Sequence, residues 1–115
     1  MFKSSITLAS ASAVLALACA TPVQAAVDVE AAKALFKGNE CIKCHAPDKD
    51  KKGASLKSIA EKYKGKTDAQ ATLIKHFTTG QMVKMLTDGK EEKHFVLDSK
   101  DLKVQQNLAD WILSQ

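Results

Sequence analysis

A five-residue motif, Cys41-Ile42-Lys43-Cys44-His45, constrains this chain more than any other stretch. The pattern C-x-x-C-H is the signature for covalent attachment of a c-type haem. Residues three and four positions apart lie on one face of a helical turn, so Cys41 and Cys44 can each bond one vinyl group of the same porphyrin. His45 then lies under the iron and can ligate it. Such a chain must fold as short elements packed around a large apolar plate.

Two other interpretations of the paired cysteines are weaker. A redox-active dithiol of this spacing is expected near a βαβ pattern, which the sequence lacks. A zinc site would need further ligands, and His76 and His94 lie 18 positions apart, far from the short spacing of paired histidine ligands. The haem interpretation is therefore favoured over both.

Residues 1–25 are predicted to be a cleaved secretory signal peptide. Lys3 supplies a positive start, residues 6–20 form an uncharged and mostly apolar run, and small residues lead to Ala25. The run is too short to cross a membrane as a helix. We expect cleavage after Ala25, which would place residues 26–115 in the periplasm without membrane insertion.

Cys19 allows a different processing route. A cysteine after an apolar run can become a lipid-modified N-terminus, but Leu17 stands where such sites prefer a small residue, and the site at Ala25 is better. Cleavage after Ala25 would remove Cys19. Both remaining cysteines would then bind haem, which leaves none for a disulfide.

The mature chain is predicted to be one small, mildly basic domain. Without Lys3, 16 lysines stand against 13 acidic residues, a net charge of +3, and the chain has no arginine. Because arginine is favoured for bidentate contacts with phosphates and bases, nucleic acid is not an expected partner. A domain of this size buries only about 60–65% of its unfolded surface, so a bound haem would add packing surface that the chain needs.

Apolar periodicity predicts an all-α fold of four to five short helices. No segment shows the alternation of a strand, and the charged stretch 90–98 is predicted to be mostly loop. The predicted elements are a helix over 27–36, a helix over 57–63, a helix that begins with the capping box Thr67–Gln70, a short turn over 81–86, and a last helix over about 100–113 capped by Asp98 or Ser99.

Four stretches of the mature chain form a recognisable set. They are Phe36 before the haem motif, Lys52-Gly53-Ala54-Ser55-Leu56 after it, Ile59-Ala60-x-x-Tyr63, and the closing Leu108-Ala109-Asp110-Trp111-Ile112-Leu113. Together with the haem motif they resemble the class I cytochromes c, in particular the small bacterial monohaem type, over essentially the whole mature chain. The resemblance implies the class I fold, with the first and last helices in contact near Phe36 and Trp111, and one haem c attached through Cys41 and Cys44.

The loop after the haem motif departs from the family pattern. The family usually has Gly-Pro where this chain has Gly53-Ala54. The carbonyl at the proline position normally accepts a hydrogen bond from the proximal histidine, which fixes the tautomer of that ring and raises its basicity. Ala54 keeps the carbonyl but lacks the fixed φ of proline. We therefore expect the bond from His45 to persist in a looser loop.

A second departure concerns the ligand on the other face of the haem. The family typically offers a methionine in a Met-Pro loop before the last helix, and this chain has no such loop. Some members carry a histidine there, and Lys93-His94-Phe95-Val96 resembles theirs. We predict His94 as the distal ligand, with Met85 and then Met82 as alternatives, although both methionines could simply pack against haem from one helical face. His76 is predicted to be a surface histidine.

The motif and the resemblance together predict a one-electron carrier rather than an enzyme. Two axial side chains leave no open position on the iron for oxygen or a substrate, and a histidine in place of methionine lowers the reduction potential. Two alternatives remain: a haem sensor whose distal ligand is displaced by carbon monoxide, nitric oxide or peroxide, and a haem subunit of a larger periplasmic oxidoreductase.

The expected partners are redox proteins, and the chain itself is predicted to be a monomer. Lysines crowd the sequence around the haem motif, where the exposed haem edge would lie. They could form a docking rim for acidic partner surfaces or simply a solvated face. These lysines are Lys43, Lys49, Lys51, Lys52 and Lys57.

Overall fold

The computed structural model describes Ala16 and residues 26–115, which form four α-helices and one two-stranded sheet. The predicted all-α class is confirmed. The predicted signal peptide, Cys19 included, lies outside the described residues except for Ala16. In chain order the elements are α1 Val29–Gly38, a 3₁₀ turn Cys41–Lys43, α2 Leu56–Tyr63, α3 Ala69–Thr78, β1 Met82–Lys84, β2 Glu91–Lys93 and α4 Leu102–Leu113.

Helix α4 is the element against which α1, α2 and α3 all pack. Its residues Leu108 and Ala109 are almost fully buried. Phe36 of α1 meets Trp111 edge to face, with ring centroids 5.5 Å apart and ring planes at 65°, a geometry that aromatic pairs favour. The predicted contact between the first and last helices is therefore confirmed at the two aromatic residues named for it.

Three helices begin at a residue whose side chain accepts a hydrogen bond from a free backbone N–H, as helix N-termini require. Asp28 caps α1, Ser55 caps α2 and Asp101 caps α4. The predicted cap of the last helix, Asp98 or Ser99, is wrong, because the helix begins only at Leu102 and Asp101 caps it. The first helix is likewise displaced by two residues from the predicted range, since Asp28 stands before it.

The predicted capping box of α3 is also wrong. The helix follows Asp68 without a side-chain cap. Gln70 turns away from the helix start, and its Nε2 donates to Oδ1 of Asp110 in α4 at 2.8 Å. The side-chain amide of Gln70 therefore bonds a residue of α4 instead of the start of its own helix.

The segment between α3 and α4 forms a hairpin where a helical turn and a loop were predicted. Strands β1 and β2 pair antiparallel, with Val83 opposite Glu92. Gly80 and Gly89 bend the chain on either side of β1 with φ of 61° and 72°, values that glycine adopts without strain. The strands are only three residues long and mostly exposed, so they carry no apolar alternation that a sequence could reveal.

Leu108 and Leu102 offer a paired test of this core within α4. Leu108 is 2% exposed and Leu102 is 57% exposed. Leu108→Ala is expected to lower the free energy of unfolding of the holoprotein by about 2–5 kcal/mol, whereas Leu102→Ala should change it by less than about 0.5 kcal/mol. Denaturant unfolding measures both. Equal losses would contradict the packing of α4 described above.

Candidate haem site

A cavity of about 540 Å³ lies between the haem motif, the hairpin and helices α1 to α4, within the range of about 300–1,000 Å³ that is typical of cofactor sites. Five residues predicted from the sequence to bind the haem or its iron, Met85 among them as an alternative ligand, line it: Cys41, Cys44, His45, Met85 and His94. Buried apolar side chains complete the walls, which suits a largely apolar porphyrin. Among them are Phe36, Leu56, Leu73, Phe77, Leu97, Leu108 and Ile112.

The haem motif forms one tight turn. The backbone N–H of Cys44 donates to the carbonyl of Cys41 at 3.1 Å, and the N–H of His45 donates to the same carbonyl at 2.9 Å. Burial raises the pKa of the Cys41 thiol, whereas reactive dithiols have lowered values. The turn therefore gathers the three side chains as the motif predicts, and the Cys41 thiol lacks the lowered pKa of a redox-active cysteine.

His45 is held from behind by the loop that follows the motif. Its Nδ1 lies 2.7 Å from the carbonyl oxygen of Ala54, and because a carbonyl can only accept, Nδ1 donates. The proton therefore sits on Nδ1, which leaves Nε2 free to bind metal. The predicted bond from His45 to Ala54 is confirmed.

Gly53 supplies the space that the ring of His45 occupies. A Cβ built at Gly53 would lie 2.6 Å from Cε1 of His45 and 3.0 Å from its Nδ1, closer than real Cβ atoms approach. The backbone N–H of Gly53 also donates to the carbonyl of Cys44 at 2.8 Å. The loop therefore presses its backbone against the imidazole, and only glycine fits at this position.

His94 faces His45 across the cavity. The centroids of the two imidazole rings are 6.3 Å apart, and their planes are inclined by 46°. Imidazole nitrogens bind first-row metals at about 2.0–2.1 Å, so two such bonds plus the two ring radii give a separation of this size. The separation of the two rings would therefore accommodate one iron between them.

The hydrogen bonding of His94 resembles that of His45. The Nδ1 atom of His94 lies 2.8 Å from the carbonyl of Phe95, which again fixes the proton on Nδ1 and leaves Nε2 unprotonated. The backbone N–H of His94 donates to the carbonyl of Gln81 at 2.8 Å. Burial lowers the pKa of the His94 imidazole; the hydrogen bond with Phe95 acts in the opposite direction, and the nearby His45 lowers the pKa again. The ring is thus neutral at neutral pH, the form that binds metals.

The two methionines proposed as alternatives occupy different places. Met85 is 8% exposed and lines the cavity, whereas Met82 is 60% exposed and is not among the lining residues. The prediction that Met82 and Met85 share one helical face is wrong, because Met82 lies in β1 and a turn follows Met85. Of the two, only Met85 stands beside the space that a haem would fill.

His76 was predicted to be a surface histidine, and this prediction is wrong. The residue is half-buried and lines the cavity, and its ring centroid lies 4.2 Å from that of His94. Burial, and next the neighbouring His94, lowers the pKa of His76 to about 4. The sequence did contain a signal for this position. His76 lies three residues after the apolar Leu73, and residues at this spacing share one face of a helix.

Known proteins match both the sequence and the fold. The sequence model of the cytochrome c family matches residues 29–115. The crystal structure of the class 1 cytochrome MtoD from Sideroxydans lithotrophicus ES-1 is similar at 52% identity and a TM-score of 0.73, over 77% of this chain and 97% of that one. Wild-type Nitrosomonas europaea cytochrome c552 is similar at 29% identity and a TM-score of 0.56, over 71% and 96%. No curated protein matches the chain.

The sequence match and the fold match point to the same family. The matched range contains the haem motif, the loop that carries Ala54, and α4, and the overall fold is similar to that of the class 1 cytochrome MtoD. The cavity in turn presents two cysteines and a histidine in the order that covalent haem attachment requires. The chain belongs to the cytochrome c family, as a class I monohaem cytochrome.

Proposed function

We propose that this protein is a periplasmic one-electron carrier whose single haem c is ligated axially by His45 and His94. As a class I cytochrome c it binds haem covalently through Cys41 and Cys44, and proteins of this family transfer electrons. The proposal for the distal face is supported above all by one observation. The imidazoles of His45 and His94 face each other with ring centroids 6.3 Å apart.

The surroundings of the two histidines suit reversible electron transfer. The bound haem supplies an iron that cycles between the ferrous and ferric states. His45 and His94 each donate a hydrogen bond from Nδ1 to a backbone carbonyl, which favours the same orientation of both rings in the two charge states. Buried apolar side chains such as Phe36 and Leu108 form part of the cavity wall, and an apolar wall favours a small reorganisation around the iron.

The choice of distal ligand sets the reduction potential. Methionine raises the potential of a haem relative to a second histidine, so a His45/His94 pair gives a lower-potential carrier than a methionine-ligated relative. For a one-electron couple, about 59 mV corresponds to a tenfold change in equilibrium constant. The distal residue therefore decides which redox partners are thermodynamically downhill.

The periplasmic location is supported by the predicted signal peptide in residues 1–25, with cleavage after Ala25. Among residues 26–115, none of the helices has the length and apolar character needed to cross a bilayer. Covalent haem attachment through Cys41 and Cys44 uses both cysteines that would remain in the mature chain.

Lysines and apolar side chains around the haem motif support docking of an acidic redox partner. Lys43, Lys49, Lys52 and Lys57 are exposed, and Ile42 among them is 44% exposed. Part of this charge is already balanced, since Nζ of Lys43 pairs with Glu40 at 2.9 Å. The remaining positive rim would steer acidic surfaces toward the attached edge of the haem.

Salt and single lysine variants test this docking surface. The rate of electron transfer to an acidic redox protein is expected to fall as ionic strength rises. Lys52→Ala should lower that rate by up to about fivefold at low salt. Lys103→Ala, which removes an exposed charge at the start of α4, is the matched control and should have a smaller effect. Stopped-flow measurements distinguish the two, and equal effects would contradict docking at the rim.

Carbon monoxide and size-exclusion chromatography test the carrier function against its two rivals. The reduced holoprotein is expected to resist carbon monoxide, because both axial positions are filled by anchored side chains, and to elute as a monomer. Ready binding of carbon monoxide would favour a sensor. Stable co-purification with a larger enzyme would instead favour a subunit of an oxidoreductase.

A further inference from the structure

We propose that His76 is a positioning residue that fixes the ring orientation of the distal ligand His94. The inference rests on the proposed ligation of the haem iron by His94. It adds a role for His76, which is not itself proposed as a ligand. Its starting point is the contact between the two rings, whose centroids are 4.2 Å apart and whose planes are inclined by 57°.

The rest of the His94 loop is already held by its backbone. The N–H of His94 donates to the carbonyl of Gln81, and the N–H of Leu97 donates to that of Phe77, both at 2.8 Å. A Cβ built at Gly80 would lie 3.0 Å from Cγ2 of Val96, so the loop also packs closely on the end of α3. These contacts place the Cα of His94 and leave the rotation of its ring to be restrained by side chains.

Two contacts with described residues restrain the rotation of the His94 ring. One is the bond from its Nδ1 to the carbonyl of Phe95, which is exposed and therefore open to competition from water. The other is the ring of His76, which is half-buried and lines the same cavity. Because a packed ring blocks rotation sterically, water does not weaken its restraint as it weakens the hydrogen bond.

His76 can act in this way because it is itself fixed. It lies on α3, where the helix and the buried neighbours Leu73 and Phe77 hold its backbone in place. The Nε2 amide of Gln81 also donates to Nδ1 of His76 at 2.6 Å, at an exposed position, and this bond adds to the restraint without being its main source. Gln81 thus contacts both histidines, His76 through its side chain and His94 through its backbone carbonyl.

Ring orientation matters because it controls the overlap between the imidazole and the iron orbitals. The planes of His45 and His94 are inclined by 46°, and groups around a ligand tune the metal through such orientation. The g-values of the oxidised haem report this angle directly. A residue that only stabilised the fold would leave them unchanged.

Three single variants of the holoprotein test the proposal. His76→Ala removes the packed ring and should shift and broaden the electron paramagnetic resonance signal of the oxidised protein. Because an aromatic pair contributes about 0.5–1.5 kcal/mol, its loss should also raise cyanide affinity about two- to tenfold through easier release of His94. His76→Phe keeps a ring and should restore most of the native behaviour. Lys75→Ala, at an exposed site on the same helix, should match the native protein.

The outcomes separate this proposal from the assignment of the distal ligand. The electron paramagnetic resonance signal of the native protein identifies the distal ligand. The change in that signal caused by His76→Ala tests the positioning role. Native bis-histidine ligation with g-values and cyanide affinity unchanged in His76→Ala would overturn the positioning role alone. A methionine-ligated native haem would overturn both. Gln81→Ala provides a milder variant, which should move both readouts in the same direction as His76→Ala by a smaller amount.

Discussion

His94→Ala is expected to convert a low-spin, six-coordinate haem protein into a high-spin one that binds carbon monoxide when reduced. The substitution removes the imidazole whose ring centroid lies 6.3 Å from that of His45 and opens the distal position on the iron. Absorption spectra of the oxidised and carbon monoxide-treated reduced protein measure the change. We do not expect His76 to replace the lost ligand, because it is part of α3, where Leu73 and Phe77 are buried, and the double variant H76A/H94A checks this directly.

Met85→Ala is the matched control for His94→Ala. Met85 lines the same cavity and is 8% exposed, so its truncation should cost about 2–5 kcal/mol of stability. The spin state of the Met85→Ala protein and its resistance to carbon monoxide should nevertheless match those of the native protein at temperatures where the variant is folded. The opposite pattern, with a high-spin Met85→Ala protein and a low-spin His94→Ala protein, would reassign the distal ligand to Met85.

Gly53→Ala is expected to displace the proximal histidine. The added Cβ would lie 2.6 Å from Cε1 of His45, and neither the ring nor the short loop can retreat without loosening the bond to Ala54. Overpacking of this kind costs about 1–3 kcal/mol. The variant should therefore be less stable and show a high-spin fraction, both measurable by absorption during denaturant unfolding.

Gly38→Ala is the glycine control for that experiment. Gly38 ends α1, and a Cβ built there meets no atom within 4 Å. Because alanine reduces the entropy of the unfolded chain without a clash, this variant should be neutral or slightly stabilising. A stability and spectrum for Gly53→Ala indistinguishable from those of Gly38→Ala would show that Gly53 does not constrain the ring of His45.

The proximal half of the site could be predicted from the sequence because its geometry is local. Cys41, Cys44 and His45 lie within one turn, and their spacing alone brings them to one face. The bond from His45 to Ala54 spans only nine residues and followed from comparison with the family pattern. The contact between Phe36 and Trp111 was predictable for a similar reason, since the resemblance specifies which helices cross.

The distal half could be predicted less completely because it depends on long-range contacts. The placement of His76 against His94 requires the hairpin, and that hairpin depends on Gly80 and Gly89 rather than on any apolar pattern. The capping box at Thr67–Gln70 failed for a related reason, as Asp110 lies 40 residues from Gln70 and competes for its amide. Local propensity is overridden where a distant partner offers a better hydrogen bond.

Distal ligation by His94 is tested most directly by the absorption spectrum of the oxidised holoprotein. A haem bound by His45 and His94 should be low-spin and six-coordinate, and its spectrum should lack a sulfur-to-iron charge-transfer band. The presence of that band would contradict histidine ligation and assign the distal face to a methionine, with Met85 as the residue that lines the cavity.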